Sequence, residues 1–593
     1  MRPAFRDGVW FVDFEYSRED GREPPSIVCM TAKEQGGHEF RLFKEELLAR
    51  TAAPFPTGEH ACVVAYAAEA EGSCFAALGW PDPVNVIDPY VEHLININGR
   101  PNAYVIGTGL LDAMRYRGLP ARSQERKEAM RDKARFQRHW PQEDRPPMLD
   151  YCMEDNHDAA AVLQAQTNAG LNWSQAIWRG RYMWFVGSHI ERHALPIDVA
   201  TYHELRESLP HIRAPLLAVA DRFGLLEDGH IRDKRFNAMV ETLGLARVWP
   251  HTPEGGKYKR DEVTWKEMAA ICPALKPLRE AFMLLDQLEQ PEFAIGSDGR
   301  NRFWWKPMLT KTGRCAASPR ENLLGAPKWW RGLVTPPPDW ALVEIDYSSE
   351  ETWIAAGRSG CPTMLREVDS GDIHLTTAIN MGLAPVGATA ESHPLERNRA
   401  KPLTHGANYG ISHIGIAKRL GIPHRSAQRL LKSYDATHPV LREWQRAWVQ
   451  HAYSTKRVTA PLGWSMYVHA GVGRRTLLNW LMQATGSEIL WVAVTMLTRS
   501  GFTVCATAHD SIYLLVPLEG LEGWVALART IMSSVTLPFT GGLEIPTKAK
   551  VVRPGERLLD AETRPAWERL MALVRGRNPT LEKALAVPEG AHR

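Results

Sequence analysis

Two short apolar runs, far apart in the chain, each give way to an aspartate where a buried strand should stop. The first is Val343-Glu344-Ile345-Asp346, continued by Tyr347-Ser348-Ser349-Glu350-Glu351, and the second closes on Ala508-His509-Asp510-Ser511. A fold that brings these two ends together can hold a pair of divalent ions about 3.5–4 Å apart, which activates an attacking hydroxyl and stabilises a leaving oxygen. Between the runs lies Arg397-(x)3-Lys401-(x)3-His405-(x)3-Tyr409-Gly410, with positive charges at helical spacing. Acids for metal and a cationic helix for a triphosphate together point to nucleotidyl transfer.

At 593 residues the chain exceeds what one hydrophobic core usually serves, so two to four domains are expected. Its 44% apolar and 23% charged content is that of a soluble globular protein. The longest nearly apolar run, residues 489–497, is far short of a membrane span. No basic-then-apolar leader opens at Met1-Arg2-Pro3-Ala4-Phe5, so a cytoplasmic protein with no membrane partner is expected. The eight cysteines are scattered and form no C-x-x-C pair, which argues against structural zinc and a disulfide framework. With a net charge of only +3, affinity for nucleic acid must come from local basic grooves.

Near the amino terminus, Trp10-Phe11-Val12-Asp13-Phe14-Glu15 reads as a buried strand with Asp13 and Glu15 on one face at period two. Further on, Tyr151-Cys152-Met153-Glu154-Asp155 precedes a helix-like alanine run, and on a helix Tyr151 and Asp155 share a face one turn apart. Between them, Ala65-Tyr66-Ala67-Ala68-Glu69-Ala70-Glu71 offers Glu71, and Asp88 after Val84-Asn85-Val86-Ile87 offers a second candidate acid. Residues 171–290 read as mainly helical. Within them Gly255-Gly256-Lys257-Tyr258-Lys259-Arg260 joins a flexible turn to three cations, which suits either DNA phosphates or a solvated loop.

Taken in order, these motifs resemble the family A DNA polymerases, the class of bacterial DNA polymerase I and many phage replicases, over roughly residues 10 to 550. The resemblance implies an α/β multidomain fold: an RNase H-like 3′–5′ exonuclease domain followed by a right-hand polymerase of palm, thumb and fingers. It divides the chain into 1–168 (exonuclease-like), 169–300 (palm entry and thumb), 301–356 (palm with the first metal motif), 357–474 (fingers), 475–552 (palm with the second) and 553–593 (a tail without assigned chemistry).

The same resemblance assigns residues. Asp346 and Asp510, with the carbonyl of Tyr347, would hold two Mg²⁺ ions. Glu351 would lie under the incoming sugar, where a side chain can block a 2′-hydroxyl and so favour dNTPs. His374, Arg397 and Lys401 would meet the triphosphate, with Lys401 also the acid that protonates pyrophosphate. His405 and Tyr409 would lie at the sugar, base and template. Arg314, in Thr312-Gly313-Arg314, would reach the primer-template minor groove, as would Arg475, Asn479 and Gln483 at i, i+4, i+8, and His509 would also contact DNA. Asp13, Glu15, Glu71 and Asp155 would bind two Mg²⁺ or Mn²⁺ ions at the exonuclease site, with Tyr151 orienting the attacking water.

The departures from the family pattern are specific. Glu71 stands for an aspartate, Ala67 for an asparagine, Trp353 for an arginine and His405 for a larger aromatic ring. The histidine leads to an expected pH-dependent nucleotide affinity near neutrality. Ser511 stands for a glutamate, which leaves the metal site without a third acid unless Glu488 substitutes. Pro402 falls inside the cationic helix, which is expected to kink or to begin later. Glu71, His405 and Ser511, and the lack of a 5′-nuclease segment ahead of residue 1, lead to the expectation of a phage or prophage replicase. It would be a monomer in bacterial cytoplasm that binds primer-template DNA and dNTPs, with a processivity factor or helicase–primase as further partner. Two other readings stand beside it: a single-subunit RNA polymerase, told apart by rNTP use, and a non-catalytic primer-template binding protein, told apart by the lack of Mg²⁺-dependent turnover.

Overall fold

The structure is a computed structural model that describes residues 3–18, 23–228, 230–252, 256–288, 292–303, 305–317 and 321–575. Contacts group the chain into two compact units. The first comprises Met1–Leu195, Arg302–Ala317 and Pro337–Pro554, and the second Pro196–Asn301, Ser318–Pro336 and Gly555–Arg593.

The first unit holds two sheets. In one, strands β1 (Val9–Ser17), β2 (Ser26–Glu34), β3 (Glu39–Phe43), β4 (Cys62–Val64) and β5 (Val86–Ile87) lie in the order β3-β2-β1-β4-β5. The first three are antiparallel, whereas β4 runs parallel to β1 and β5 parallel to β4. Helices α1 (Glu69–Leu78), α2 (Pro89–Ile97), α3 (Gln124–Phe136), α4 (Arg145–Asn168) and α5 (Trp173–Phe185) accompany this sheet. Near-continuous Val, Ile, Cys and Phe in the central strands fit a sheet packed on both faces. Val9, Phe11, Val64 and Ile87 pack with Val162, Leu163 and Ile177 of α4 and α5 in one buried cluster.

The second sheet is antiparallel, of β6 (Trp340–Tyr347), β7 (Thr503–Ala508), β8 (Ser511–Pro517) and β9 (Thr547–Val552), in the order β7-β8-β6-β9. Around it run α6 (Glu350–Ser359), α7 (Ile373–Asn380), α8 (Pro394–Asn408) and α9 (Arg474–Arg499). Residues 484–495 of α9 are buried on every side, which accounts for the nearly apolar stretch from residue 489 onward without a membrane. No helix among the described residues is long and apolar enough to cross a membrane.

The second unit is mainly helical and draws together segments distant in sequence. Its carboxy-terminal helix, Arg564–Val574, is amphipathic and lays Trp567 over Gly332, where an added Cβ would lie 2.4 Å from the indole. The tail as far as residue 575 is therefore part of a core, and residues 576–593 lie outside the described residues. In the basic loop, Gly255 also lies outside them, while Lys257 and Arg260 are both paired with Asp233, at 2.7 and 2.5 Å.

Candidate functional site: a carboxylate centre in the palm and a second on β1

Strand register brings the two sequence-predicted aspartates together. Asp346 of β6 pairs with Ser511 of β8, so Asp510, one residue earlier, adjoins it across the ladder. Ala508 pairs with Ser511, which leaves His509 and Asp510 as a two-residue hairpin turn, with His509 at φ 56°. Asp510 thus sits at a hairpin tip, and His509 is exposed beside it. Ser511 donates its hydroxyl to Asp346 Oδ1 at 2.6 Å, fixing one oxygen of that carboxylate. Burial, and then the Asp346 carboxylate beside it, raises the Asp510 pKa to about 7.

A third carboxylate, Glu350, lies within electrostatic reach of this pair. After β6 the chain turns through Ser349, held at φ 54°, and α6 begins at Glu350. Glu350 is 2% exposed, and its Oε1 has no hydrogen-bond partner. Burial, followed by repulsion from Asp510, raises its pKa to about 8. Gly486 of α9 makes room for this carboxylate, since a Cβ there would lie 2.5 Å from Glu350 Oε2. Glu488, the sequence alternative, points elsewhere: it accepts the Leu462 and Trp464 amides at 2.6 and 2.8 Å and holds that loop. Glu351 is raised by burial and lowered by Arg314, whose charge also lowers Glu350 and Asp510. Arg314 therefore faces the acids, with its Nε buried and without a hydrogen-bond partner. Tyr347 is buried and anchors the strand end by donating to the Met532 carbonyl at 2.8 Å.

Helix α8 packs against both α6 and α7 and carries the predicted phosphate ligands. Contrary to expectation, it begins at Pro394, ahead of Arg397, and runs through Pro402. The carbonyl four residues before the proline belongs to Asn398, which is exposed and open to water. The neighbouring Ala400, Leu403 and Ala407 are fully buried and hold the helix by packing. Arg397 is held by Asp372, Nε to Oδ2 2.7 Å, a partner not foreseen from the sequence. Lys401 is exposed. His374 and His405 meet ring to ring at 5.0 Å, and His374 Nδ1 lies 2.8 Å from Thr404 Oγ1. Burial, then His405 and Arg397, lowers His374 to about 4, so this imidazole is neutral at physiological pH. Burial and then Lys401 also lower His405 from its ordinary value. Tyr409 caps α8, and Gly410, at φ 69°, lies against Arg475 and Leu478. Arg475 is exposed on α9, with Asn479 and Gln483 half-buried on the following turns.

The amino-terminal acids converge as well. β4 pairs with β1 only up to Phe11, so from Val12 on that edge of β1 is open and Asp13 and Glu15 stand beyond the end of the parallel pair. Asp13, Glu15 and Asp155 each offer an oxygen within 4.8 Å of the others. Glu71 is 3% exposed, and burial followed by the charge of Asp13 raises it well above the carboxylate range; it does not join the three acids that lie within 4.8 Å of one another. Burial, and then Asp155, raises Asp13 to about 7. Tyr151 is buried one turn before Asp155 on α4. A cleft of about 560 Å³ opens on Asp13 and Asp155, lined also by Tyr66, Lys127, Arg131 and Lys306. Oxygen-only donors, two with a buried unpartnered oxygen (Asp13 Oδ2 and Glu71 Oε2), fit a hard divalent cation.

Asp88, the rival candidate, has a structural role. Its carboxylate accepts the amides of Ala67, Ala68 and Tyr90 at 2.9–3.0 Å, which caps α2 and fixes the turn through Ala67, at φ 68°, that leads to Glu71. Gly187 lets the next segment close on that turn, since a Cβ there would lie 1.8 Å from the Glu69 carbonyl oxygen.

A palm of this kind, with acids from two distant strands beside a cationic helix, has the architecture of a nucleotide polymerase. Residues 240–553, more than half of the chain, match the model of DNA polymerase family A, and the chain belongs to that family. It is 26% identical to the thermostable DNA polymerase I of Thermus aquaticus over 435 residues, 65% of this chain and 50% of that protein. It is 28% identical to DNA polymerase I of Chloroflexus aurantiacus over 282 residues, 43% of this chain and 29% of that protein. The chain thus spans half or less of the length of these relatives. Among solved structures, the POL domain of Pol1 from M. smegmatis, in complex with DNA primer-template and dNTP, matches with a TM-score of 0.70 at 16% identity. The match covers 92% of this chain and 95% of that one, a likeness of fold. Family A polymerases are metal-dependent enzymes.

Proposed function

We propose that the chain performs template-directed DNA synthesis, transferring dNMP from a dNTP to a primer 3′-hydroxyl. The observation that carries this is the meeting of Asp346 and Asp510 at the end of β6, inside the family-matched region, with Glu350 and Arg314 acting electrostatically on Asp510. In the transfer the 3′-oxygen bonds to the α-phosphorus, the bond from that phosphorus to the pyrophosphate oxygen breaks, and the hydroxyl proton passes to water. Two Mg²⁺ ions held by Asp346, Asp510 and the Tyr347 carbonyl would lower the hydroxyl pKa and stabilise the leaving charge. Arg397, released from Asp372, and Lys401 grip the phosphates, neutral His374 offers a ring N–H, and Lys401 hands a proton to pyrophosphate. Glu351 excludes the 2′-hydroxyl, and Arg314, Arg475, Asn479, Gln483 and His509 meet the primer-template. The departures at Glu71, His405 and Ser511 support a phage-type replicase.

The β1 site is a 3′–5′ exonuclease centre in the same reading, supported by the three converging carboxylates Asp13, Glu15 and Asp155, with Tyr151 one turn from Asp155 and Glu71 buried nearby. Primer extension on matched and 3′-mismatched duplexes tests both halves. Extension with dNTPs that Asp510→Asn abolishes, and mismatch trimming that Asp13→Ala abolishes, are the expected results. Preference for rNTPs would make the chain an RNA polymerase, and tight DNA binding with no extension would make it a binding protein.

A further inference from the structure

One turn of the chain is held from both halves of the first unit. Thr310–Arg314 closes on itself: the Gly313 amide donates to the Thr310 carbonyl at 2.9 Å, and the Arg314 amide to Thr310 Oγ1 at 2.8 Å. Inside the turn, the carbonyl of Lys311 accepts three side-chain donors, Trp480 Nε1 at 2.7 Å, Asn98 Nδ2 at 2.9 Å and Trp464 Nε1 at 3.0 Å. A carbonyl oxygen has two lone pairs, so three donors saturate it and fix the peptide plane. Gly313, at φ 80°, brings the backbone down on the Trp491 indole, where an added Cβ would lie 2.6 Å from the ring. The turn delivers Arg314 to the palm, where its charge lowers Glu350, Glu351 and Asp510.

Two of the three donors belong to the polymerase half. Trp480 stands on α9, and Trp464 in the loop of the hairpin formed by Arg457–Thr459 and Ser465–Tyr467. Asn98 comes from the amino-terminal half, directly after α2. Its side-chain amide also donates to the Ser465 carbonyl at 2.8 Å, and its own carbonyl accepts the Tyr467 amide at 2.8 Å. The amide group therefore binds two carbonyls of the polymerase half, 213 and 367 residues away in sequence. Gly99, at φ 76°, permits this approach, since a Cβ there would lie 2.5 Å from the Met466 side chain. Helix α2 is itself anchored: its buried Glu92 meets Arg179 of α5 at 2.7 Å, and Arg179 donates to the Leu462 carbonyl of the same hairpin loop at 2.5 Å.

Resting on the reading of Arg314 as a contact to the primer-template minor groove, we infer that Asn98 is a positioning residue for the polymerase reaction. It acts through the Lys311 carbonyl to hold Arg314 at the primer terminus, which makes the amino-terminal half part of the polymerase site independently of its own carboxylates. A guanidinium that checks pair shape through minor-groove acceptors has to be placed within about 0.5 Å. Arg314 Nε is buried and has no hydrogen-bond partner in the protein, so the backbone of the turn is what fixes this atom. Without the Asn98 amide, Lys311 keeps both tryptophan donors and the turn still folds, but its tie to the amino-terminal half is gone.

The test is single-turnover addition of one dNMP to a matched primer, compared with the same primer carrying 3-deazaadenine as its terminal base, which lacks the minor-groove N3 acceptor. A phosphorothioate at the last linkage of both primers suppresses trimming. The deaza base should slow wild type about tenfold or more and leave Arg314→Ala unchanged. Asn98→Ala should extend the natural primer about tenfold more slowly than wild type, should lose no more than about threefold to the deaza base, and should keep its half-saturating dNTP concentration, because the phosphate ligands stand on α8. Added to Arg314→Ala, it should cause no further loss. Asn98→Ser, too short to reach both carbonyls, takes its place if the alanine variant does not fold. Full wild-type sensitivity to 3-deazaadenine in Asn98→Ala, a loss that falls on dNTP half-saturation, or a further loss on top of Arg314→Ala would overturn the role of Asn98 while leaving Arg314 standing. An Arg314→Ala variant as sensitive as wild type would overturn the reading of Arg314, and the inference with it.

Discussion

Replacing Glu350 by glutamine is expected to stabilise the metal-free protein at alkaline pH, although it removes a charged group from the centre of the palm. The folded carboxyl has a pKa of about 8 against an ordinary value of 4.5, raised by burial and by Asp510. The folded state therefore keeps a proton that the unfolded chain has lost throughout the window from pH 4.5 to 8. Stability conferred by holding that proton is present at low pH and drains away as pH rises through the window. Converted directly, a shift of this size is on the order of 4–5 kcal/mol, and relaxation of the site leaves roughly 1–3 kcal/mol of it. Asp510, raised to about 7 from 3.8, adds a slope of the same sign. Glutamine keeps the shape beside Gly486, cannot ionise, and presents an N–H₂ to Asp510. Thermal melts in EDTA at pH 5.5, 7 and 9 should show wild type losing stability with pH and Glu350→Gln losing less, so that the variant is the more stable of the two at pH 9. Mg²⁺ should restore wild type more at pH 9 than at pH 5.5, because only ionised carboxylates bind it, and should restore the variant less. Parallel pH slopes for the two proteins, or a variant less stable throughout, would refute the assignment of Glu350 to this centre.

Asp88→Ala strips three amides of their acceptor, which should cost about 2–4 kcal/mol and loosen the turn that presents Glu71; mismatch trimming should fall while primer extension continues, as a paired assay on one duplex will show. Arg397→Ala should raise the half-saturating dNTP concentration about tenfold or more through loss of charge-assisted phosphate contacts, whereas Asp372→Asn, which only frees the guanidinium, should change it by no more than about threefold in the same steady-state titration. Because burial and Lys401 lower His405, dNTP affinity should be flat from pH 7 to 9 and change only on the acid side. His405→Phe should remove that acid-side change in a fluorescence titration of nucleotide binding.

What the sequence made legible followed from cost. An aspartate that ends an apolar run needs a reason, and Asp346 and Asp510 could be picked out on that ground, whereas Asp13 gained weight only beside Glu15 and the Tyr151–Asp155 pair. Glu350 could not, because it stands next to Glu351, and only the left-handed turn at Ser349 and a space left by Gly486, distant in sequence, decide where each carboxylate goes. One signal was available: Ile354, four residues on, is fully buried, so Glu350 begins an inward-facing stripe of α6. Pro402 misled in the opposite direction, since a local propensity penalty of about 3 kcal/mol is outweighed by buried neighbours and an exposed Asn398 carbonyl. Hardest to read was the pairing of charges. A net charge of +3 gives no sign that Arg314 faces the palm acids, that Asp372 holds Arg397, or that Arg122 and Lys127 are committed to Asp155. Motifs identify carboxylates that can bind metal, but which of them the chain has already paired with a cation is decided by the fold. That pairing is made from α3 and the residue just ahead of it, a segment with no motif, whose Lys127 and Arg122 reach Asp155.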